Sequence, residues 1–80
     1  MTDTAISSDR DVDARGLNCP LPILRAKKAL AALQSGQVLK VISTDPGSQR
    51  DFEAFARQTG HELVRTDVQD REWTFYLKHR

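Results

Sequence analysis

Apolar residues recur along this chain with two different periods. Between Pro20 and Gly36, Ile23, Ala26, Leu30 and Leu33 share an arc of about 80° on a helical wheel, while Arg25 and Lys28 point away from it. That spacing predicts a helix with one buried face. With Cys19 as its N-cap, Pro20 falls at N1 and Pro22 at N3, in the first turn, where backbone N–H groups have no helical partner. The helix is expected to run to about Gln34–Ser35 and to end at Gly36 as a left-handed cap. Val38–Thr44 then gives a nearly continuous apolar run, as a central strand does. Asp45-Pro46-Gly47-Ser48 breaks it and leads into a second helix, capped by Asp45 or Ser48. Ser48 and Asp51 have the spacing of a capping box. Phe52, Phe55, Ala56 and Thr59 form the inner stripe of this helix, Arg50, Glu53 and Arg57 its wet face, and Gly60 its end. Glu62–Gln69 and Glu72–Lys78 alternate as strands around a turn at Asp70-Arg71. Trp73, Phe75 and Leu77 lie on one face of the last strand, and Thr74, Tyr76 and Lys78 on the other. A short strand near Asp11–Arg15 precedes all of this, with Val12 and Ala14 on one face.

The order is therefore β-α-β-α-β-β. The first βαβ unit calls for a right-handed crossover between parallel strands, and the last two strands for an antiparallel hairpin. Two helices then cover one face of a four-stranded mixed sheet, an α/β (α+β) two-layer sandwich. The other sheet face has no second layer of helices, which leaves Val64, Thr66 or Tyr76 to meet a partner or a second copy. The expected state is a monomer or weak dimer. Residues 1–10 are polar and aperiodic and read as a flexible arm; residues 11–80 form the single domain.

Composition narrows the function. The 80 residues carry 12 basic and 11 acidic side chains, a net charge of +1 that argues against direct nucleic-acid binding. No apolar stretch approaches the roughly 20 residues needed to span a bilayer, so no membrane role is expected. The polar N-terminus lacks the apolar core of a signal peptide, and the expected location is cytoplasmic. His61 and His79 are too few and too separated to suggest a metal site, and read as surface or cap residues.

The chemistry concentrates at Cys19, the only cysteine. An internal disulfide and a C-x-x-C redox pair are both excluded. A thiol hydrolase needs a histidine base, and neither histidine is obviously placed for it. A lone cysteine is often a buried core thiol. A thiol at a strand-to-helix junction, followed by Pro20-Leu21-Pro22, instead points to a reactive group. As an N-cap it would sit near the free N–H groups of Leu21 and Ile23, in the field of about half a positive charge from the helix dipole, which favours the thiolate. Arg15 and Arg25 would add to that field if the fold brings them near. Such a thiolate suits the covalent carriage of sulfane sulfur as a persulfide, with no other cofactor. Leu21 and Leu24 fall off the buried stripe and offer an apolar docking patch. Arg25, Lys27 and Lys28 offer a basic face for an acidic partner.

The segment Asp13-Ala14-Arg15-Gly16-Leu17-Asn18-Cys19-Pro20-Leu21-Pro22, with Asp45-Pro46, Arg50-Asp51 and Gly60-His61-Glu62-Leu63, resembles the TusA/SirA-like sulfur-carrier family over about residues 11 to 78. The Gly-Leu-x-Cys-Pro-x-Pro stretch is the specific signature. The resemblance implies a sulfurtransferase that relays sulfur as a Cys19 persulfide. A cysteine desulfurase would be the donor. An acceptor protein would take the sulfur towards tRNA thiolation, molybdenum-cofactor assembly or other sulfur trafficking. It also implies that Asp45 and Arg50 shape or dock around the sulfur site. Leu21 stands where the tRNA-thiolation members carry a Glu. The rival reading is a non-catalytic interaction or regulatory module of the same fold.

Overall fold

The computed structural model describes residues 7–80. The order is β1 (Arg10–Ala14), α1 (Leu21–Ala31), β2 (Val38–Ser43), α2 (Ser48–Thr59), β3 (Glu62–Gln69) and β4 (Glu72–Lys78). The strands lie in the order β1-β2-β4-β3, with β1 and β2 parallel and the other pairs antiparallel. The α+β class expected from the periodicities is the observed one.

The core explains the architecture. Alternation along β2 and β4 sends Leu39, Val41, Phe75 and Leu77 to one side of the sheet, where each is fully buried. Ala26, Ala29 and Leu30 of α1 and Phe52 and Phe55 of α2 close over them. Phe52 stacks on Phe75 with ring centroids 4.4 Å apart. Both helices thus cover the same sheet face. Lys40, Ile42, Thr74 and Tyr76 occupy the opposite face, half-buried by their neighbours in the sheet. Thr66 pairs with Phe75 and so belongs to the helix-covered side, contrary to expectation, because a bulge between Leu63 and Arg65 shifts the register of β3. Tyr76 is on the open face as expected, and Val64 is exposed at the bulge.

Several boundaries differ from the expected ones. Helix α1 begins at Leu21 with Pro20 as its N-cap, so Pro22 is at N2 and Cys19 lies before the cap. It ends at Ala31, because Ala32 and Leu33 donate to Ala29 and Leu30 in tight i→i−3 bonds. Gly36, with φ of 86°, is not the helix cap; it turns the chain into β2 and donates to the His79 carbonyl at 2.9 Å. The N-cap of α2 is Gly47, and neither Asp45 nor Ser48 caps it. Ser48 is buried, and its hydroxyl hydrogen-bonds that of Ser43 at 2.6 Å. Gly60 ends α2 in the left-handed conformation, as expected. The last residues of the expected arm are tied to the sheet: the Asp9 N–H donates to the Val38 carbonyl at 2.7 Å, and the Val38 N–H returns a bond to Asp9 Oδ2 at 2.8 Å. Residues 1–6 of that arm lie outside the described residues.

Candidate functional site: the Cys19 groove

Parallel pairing of β1 with β2 decides where Cys19 sits. The register Ala14↔Ser43 brings the two strands to an end side by side, so residues 15–20 and 44–47 leave the same edge of the sheet together. Four hydrogen bonds organise the first loop. The Gly16 N–H donates to Thr44 Oγ1 at 2.9 Å and the Leu17 N–H to the Ala14 carbonyl at 3.2 Å. The Leu21 N–H donates to the Asn18 carbonyl at 2.8 Å, and the Cys19 N–H to Asp45 Oδ2 at 2.8 Å. The other oxygen of Asp45 accepts the Gly47 N–H at 3.1 Å. A single carboxylate therefore fastens the cysteine loop to the turn that starts α2. The Cys19–Pro20 peptide is cis. Pro22 is fully buried and anchors the first turn of α1, while Pro20 and Cys19 are exposed.

Cys19 opens onto a groove of about 660 Å³, shared with Asp45, Pro46 and Gly47 of the turn and with Gln49, Arg50, Asp51 and Glu53 of α2. The electrostatics differ from the expected ones. A hydrogen bond to the Asp51 carboxylate, followed by desolvation and by the charges of Asp51 and Asp45, pushes the Cys19 thiol above its ordinary pKa. The helix terminus does not reverse this, since Cys19 stands outside α1 and the Leu21 N–H is already bonded to Asn18. Arg15 does not help either: it pairs with Asp13 at 2.9 Å and reaches Glu72 at 3.6 Å. The surrounding carboxylates thus disfavour the thiolate rather than favour it.

The family model described as "Sulfurtransferase TusA" matches residues 10–79. This chain belongs to the TusA family. It is similar to the sulfur carrier protein TusA of Allochromatium vinosum, 60% identical over 70 residues that cover 88% of this chain and 92% of that protein. It is also similar in structure to the SirA-like protein of Desulfitobacterium hafniense. That crystal structure matches with a TM-score of 0.77 at 30% identity, over 86% of this chain and 95% of the other.

Within this TusA-family fold, Cys19, Asp45 and Arg50 line one groove, and no hydrogen bond joins Arg50 to the sulfur. Leu21, Leu24, Arg25 and Lys28 assemble elsewhere. They line a groove of about 600 Å³ against Asp11 and Asp13 of β1, with Leu21 and Leu24 45% and 51% exposed. Lys27 lies in a different hollow, near His61 and His79. Two residues were missed as site members. Thr44 is an ordinary strand-end residue by sequence, and only the strand pairing brings its hydroxyl to Gly16. Asp51 was read as half of a capping box. Ser48 turns inward to Ser43, and Asp51 lines the groove beside Cys19.

Proposed function

We propose that this TusA-family chain carries sulfane sulfur as a persulfide on Cys19. It takes the sulfur from a cysteine desulfurase and passes it to the thiol of an acceptor protein, in tRNA thiolation, molybdenum-cofactor assembly or another sulfur-trafficking route. The observation that carries the reading is the placement of the only cysteine: exposed, on a loop pinned by Asp45, at the mouth of an open groove. Sulfur transfer between thiols needs a nucleophile, access and a partner thiol, and no resident cofactor. In this reading the protein is a relay rather than a turnover enzyme on a metabolite. No helix of the described residues is long and apolar enough to cross a membrane, which fits the cytoplasmic setting proposed here. Leu21, Leu24, Arg25 and Lys28 serve as the docking surface for the protein donor or acceptor, since two exposed leucines beside two cations suit an acidic-rimmed apolar patch.

The test is an intact mass under non-reducing conditions after incubation of the reduced protein with a cysteine desulfurase and L-cysteine. The expected result is a gain of one sulfur atom, reversed by reductant and absent in Cys19→Ser. A Cys19→Ser protein that still gains sulfur overturns the reading, as does a wild-type protein with a free thiol that takes no sulfur from either the desulfurase or a small-molecule persulfide.

A further inference from the structure

The sheet has two outer strands, β1 and β3, and they differ in what a second copy of themselves would meet. An outer strand presents a row of backbone N–H and C=O groups that pairs readily with another strand unless side chains oppose it. When a strand pairs antiparallel with its own copy about a two-fold axis, each residue before the centre lies opposite the matching residue after it. On β1, a pairing centred on Asp11, Val12 or Asp13 sets aspartate opposite aspartate. On β3 the outcome reverses. A pairing centred on Thr66 sets Arg65 opposite Asp67 of the second copy and Val64 opposite its Val68, and the symmetry repeats both pairs. Among the described residues, Val64 and Val68 are the exposed large apolar side chains outside α1, at 40% and 57%. Val64 is the extra residue of the bulge and is matched to no residue of β4. Arg65 and Asp67 lie side by side on the open sheet face, opposite Tyr76 and Thr74, with Arg65 Nε 2.8 Å from Asp67 Oδ1.

We propose that the outer edge of β3 pairs with β3 of a second copy of this chain, antiparallel and centred on Thr66, so that the two sheets become continuous. The pairing brings the exposed valines together and closes a ring of alternating charges from both Arg65–Asp67 pairs. Its register is specified by charge. A centre at Arg65 sets that arginine on its own copy, and a centre at Asp67 does the same with the carboxylate. The ends are set as well: Glu62 would come opposite Asp70 in the hairpin turn, which stops the pairing at Leu63 and Gln69. A single strand edge buries less than the roughly 1,000 Å² of a stable interface, so the dimer is a weak one that fills at high protein concentration. No residue of β3 lines the Cys19 groove or the groove of Leu21 and Leu24. The dimer is therefore independent of the carrier reading.

The experiment is sedimentation velocity of the reduced chain from micromolar to millimolar concentration, with reductant present so that Cys19 cannot join two copies. The wild-type sedimentation coefficient is expected to rise with concentration towards that of a dimer. Arg65→Asp and Asp67→Arg, each checked for the wild-type far-UV spectrum, set like charges opposite each other and weaken association by roughly tenfold or more. An equimolar mixture of those two single variants associates again, because every carboxylate at the edge then faces an arginine of the other chain. The double variant, Arg65→Asp with Asp67→Arg, associates again on its own for the same reason. Val68→Lys removes an apolar pair without touching the ion pair and is also weakened. A wild-type chain that stays monomeric at millimolar concentration overturns the proposal. So does undiminished association of Val68→Lys or of either single charge variant, or a mixture that remains as weak as its components.

Discussion

Asp45 does two jobs with one carboxylate, accepting the N–H of Cys19 with Oδ2 and that of Gly47 with Oδ1. Asp45→Ala leaves both donors to water and unfastens the cysteine loop from the turn before α2. A hydrogen bond to a charged group contributes about 1.5–3 kcal/mol, and exposure places these at the low end. With water replacing part of the two lost bonds, the expected loss is about 1.5 kcal/mol, read as a thermal midpoint lower by roughly 6–12 °C, together with slower sulfur loading of a still-folded protein. An unchanged midpoint would show that the loop holds itself. Leu21, Leu24, Arg25 and Lys28 line a separate groove, and in the proposed function they meet a partner protein rather than the sulfur. Arg25→Glu with Lys28→Glu is expected to slow loading from a protein donor while leaving loading from a small-molecule persulfide unchanged. A comparison of the two donors by intact mass separates docking from chemistry.

Secondary-structure elements here are set partly by local rules and partly by what they must reach. The β3–β4 turn places Asp70 and Arg71 at φ of 52° and 63°, the left-handed pair that a two-residue hairpin turn requires. Arginine is a poor occupant of such a position and glycine a good one. Arg71→Gly is therefore expected to stabilise the protein by about 0.5–1 kcal/mol, visible as a higher urea midpoint with the same slope. Helix α2 depends on tertiary packing instead. Phe52 is fully buried, stacked on Phe75 and edge-on to Phe55 at 6.4 Å. Phe52→Ala is expected to cost about 3–5 kcal/mol. In a domain of this size that is a large share of the total stability, and urea unfolding should show a much reduced midpoint.

At the scale of the whole molecule the two ends of the sheet differ. Cys19 sits beyond the C-terminal end of β2, while the opposite end, where β4 runs out, gathers His61, His79 and Arg80. The two imidazoles are 4.7 Å apart, and His61 Nδ1 accepts the Arg80 N–H at 3.2 Å. Desolvation, then His79, then Arg80 hold the His61 pKa below its ordinary value. The sign follows: as pH falls through the ordinary histidine range, the unfolded chain binds the proton first, so stability drops with falling pH. Urea unfolding between pH 7.5 and 5 is expected to show that slope, and His61→Gln to flatten it. Among the described residues, no second layer covers the sheet face carrying Lys40, Ile42, Thr74 and Tyr76.

Element types and the inner stripes were legible because they rest on periodicity, which the chain carries locally. Phe52, Phe55, Ala26 and Leu30 are where their spacing put them, and Glu62–Gln69 and Glu72–Lys78 match the observed strands. The position of Cys19 before a proline-initiated helix was legible as well. Helix caps were not, since a capping side chain chooses among competing partners. Ser48 found Ser43 across the β2–α2 turn, and Gly36 found His79 beside β4. The sign of the field at the cysteine was illegible for the same reason. Sequence supplies the helix dipole, but which carboxylates face the sulfur depends on how β1 and β2 pair and how α2 packs beside α1. The chain alone settles what kind of elements form and which thiol is available. The assembled sheet and helices decide that Asp45 holds that thiol's loop and that Asp51 lines the same groove, because both lie more than 25 positions from Cys19 in the chain.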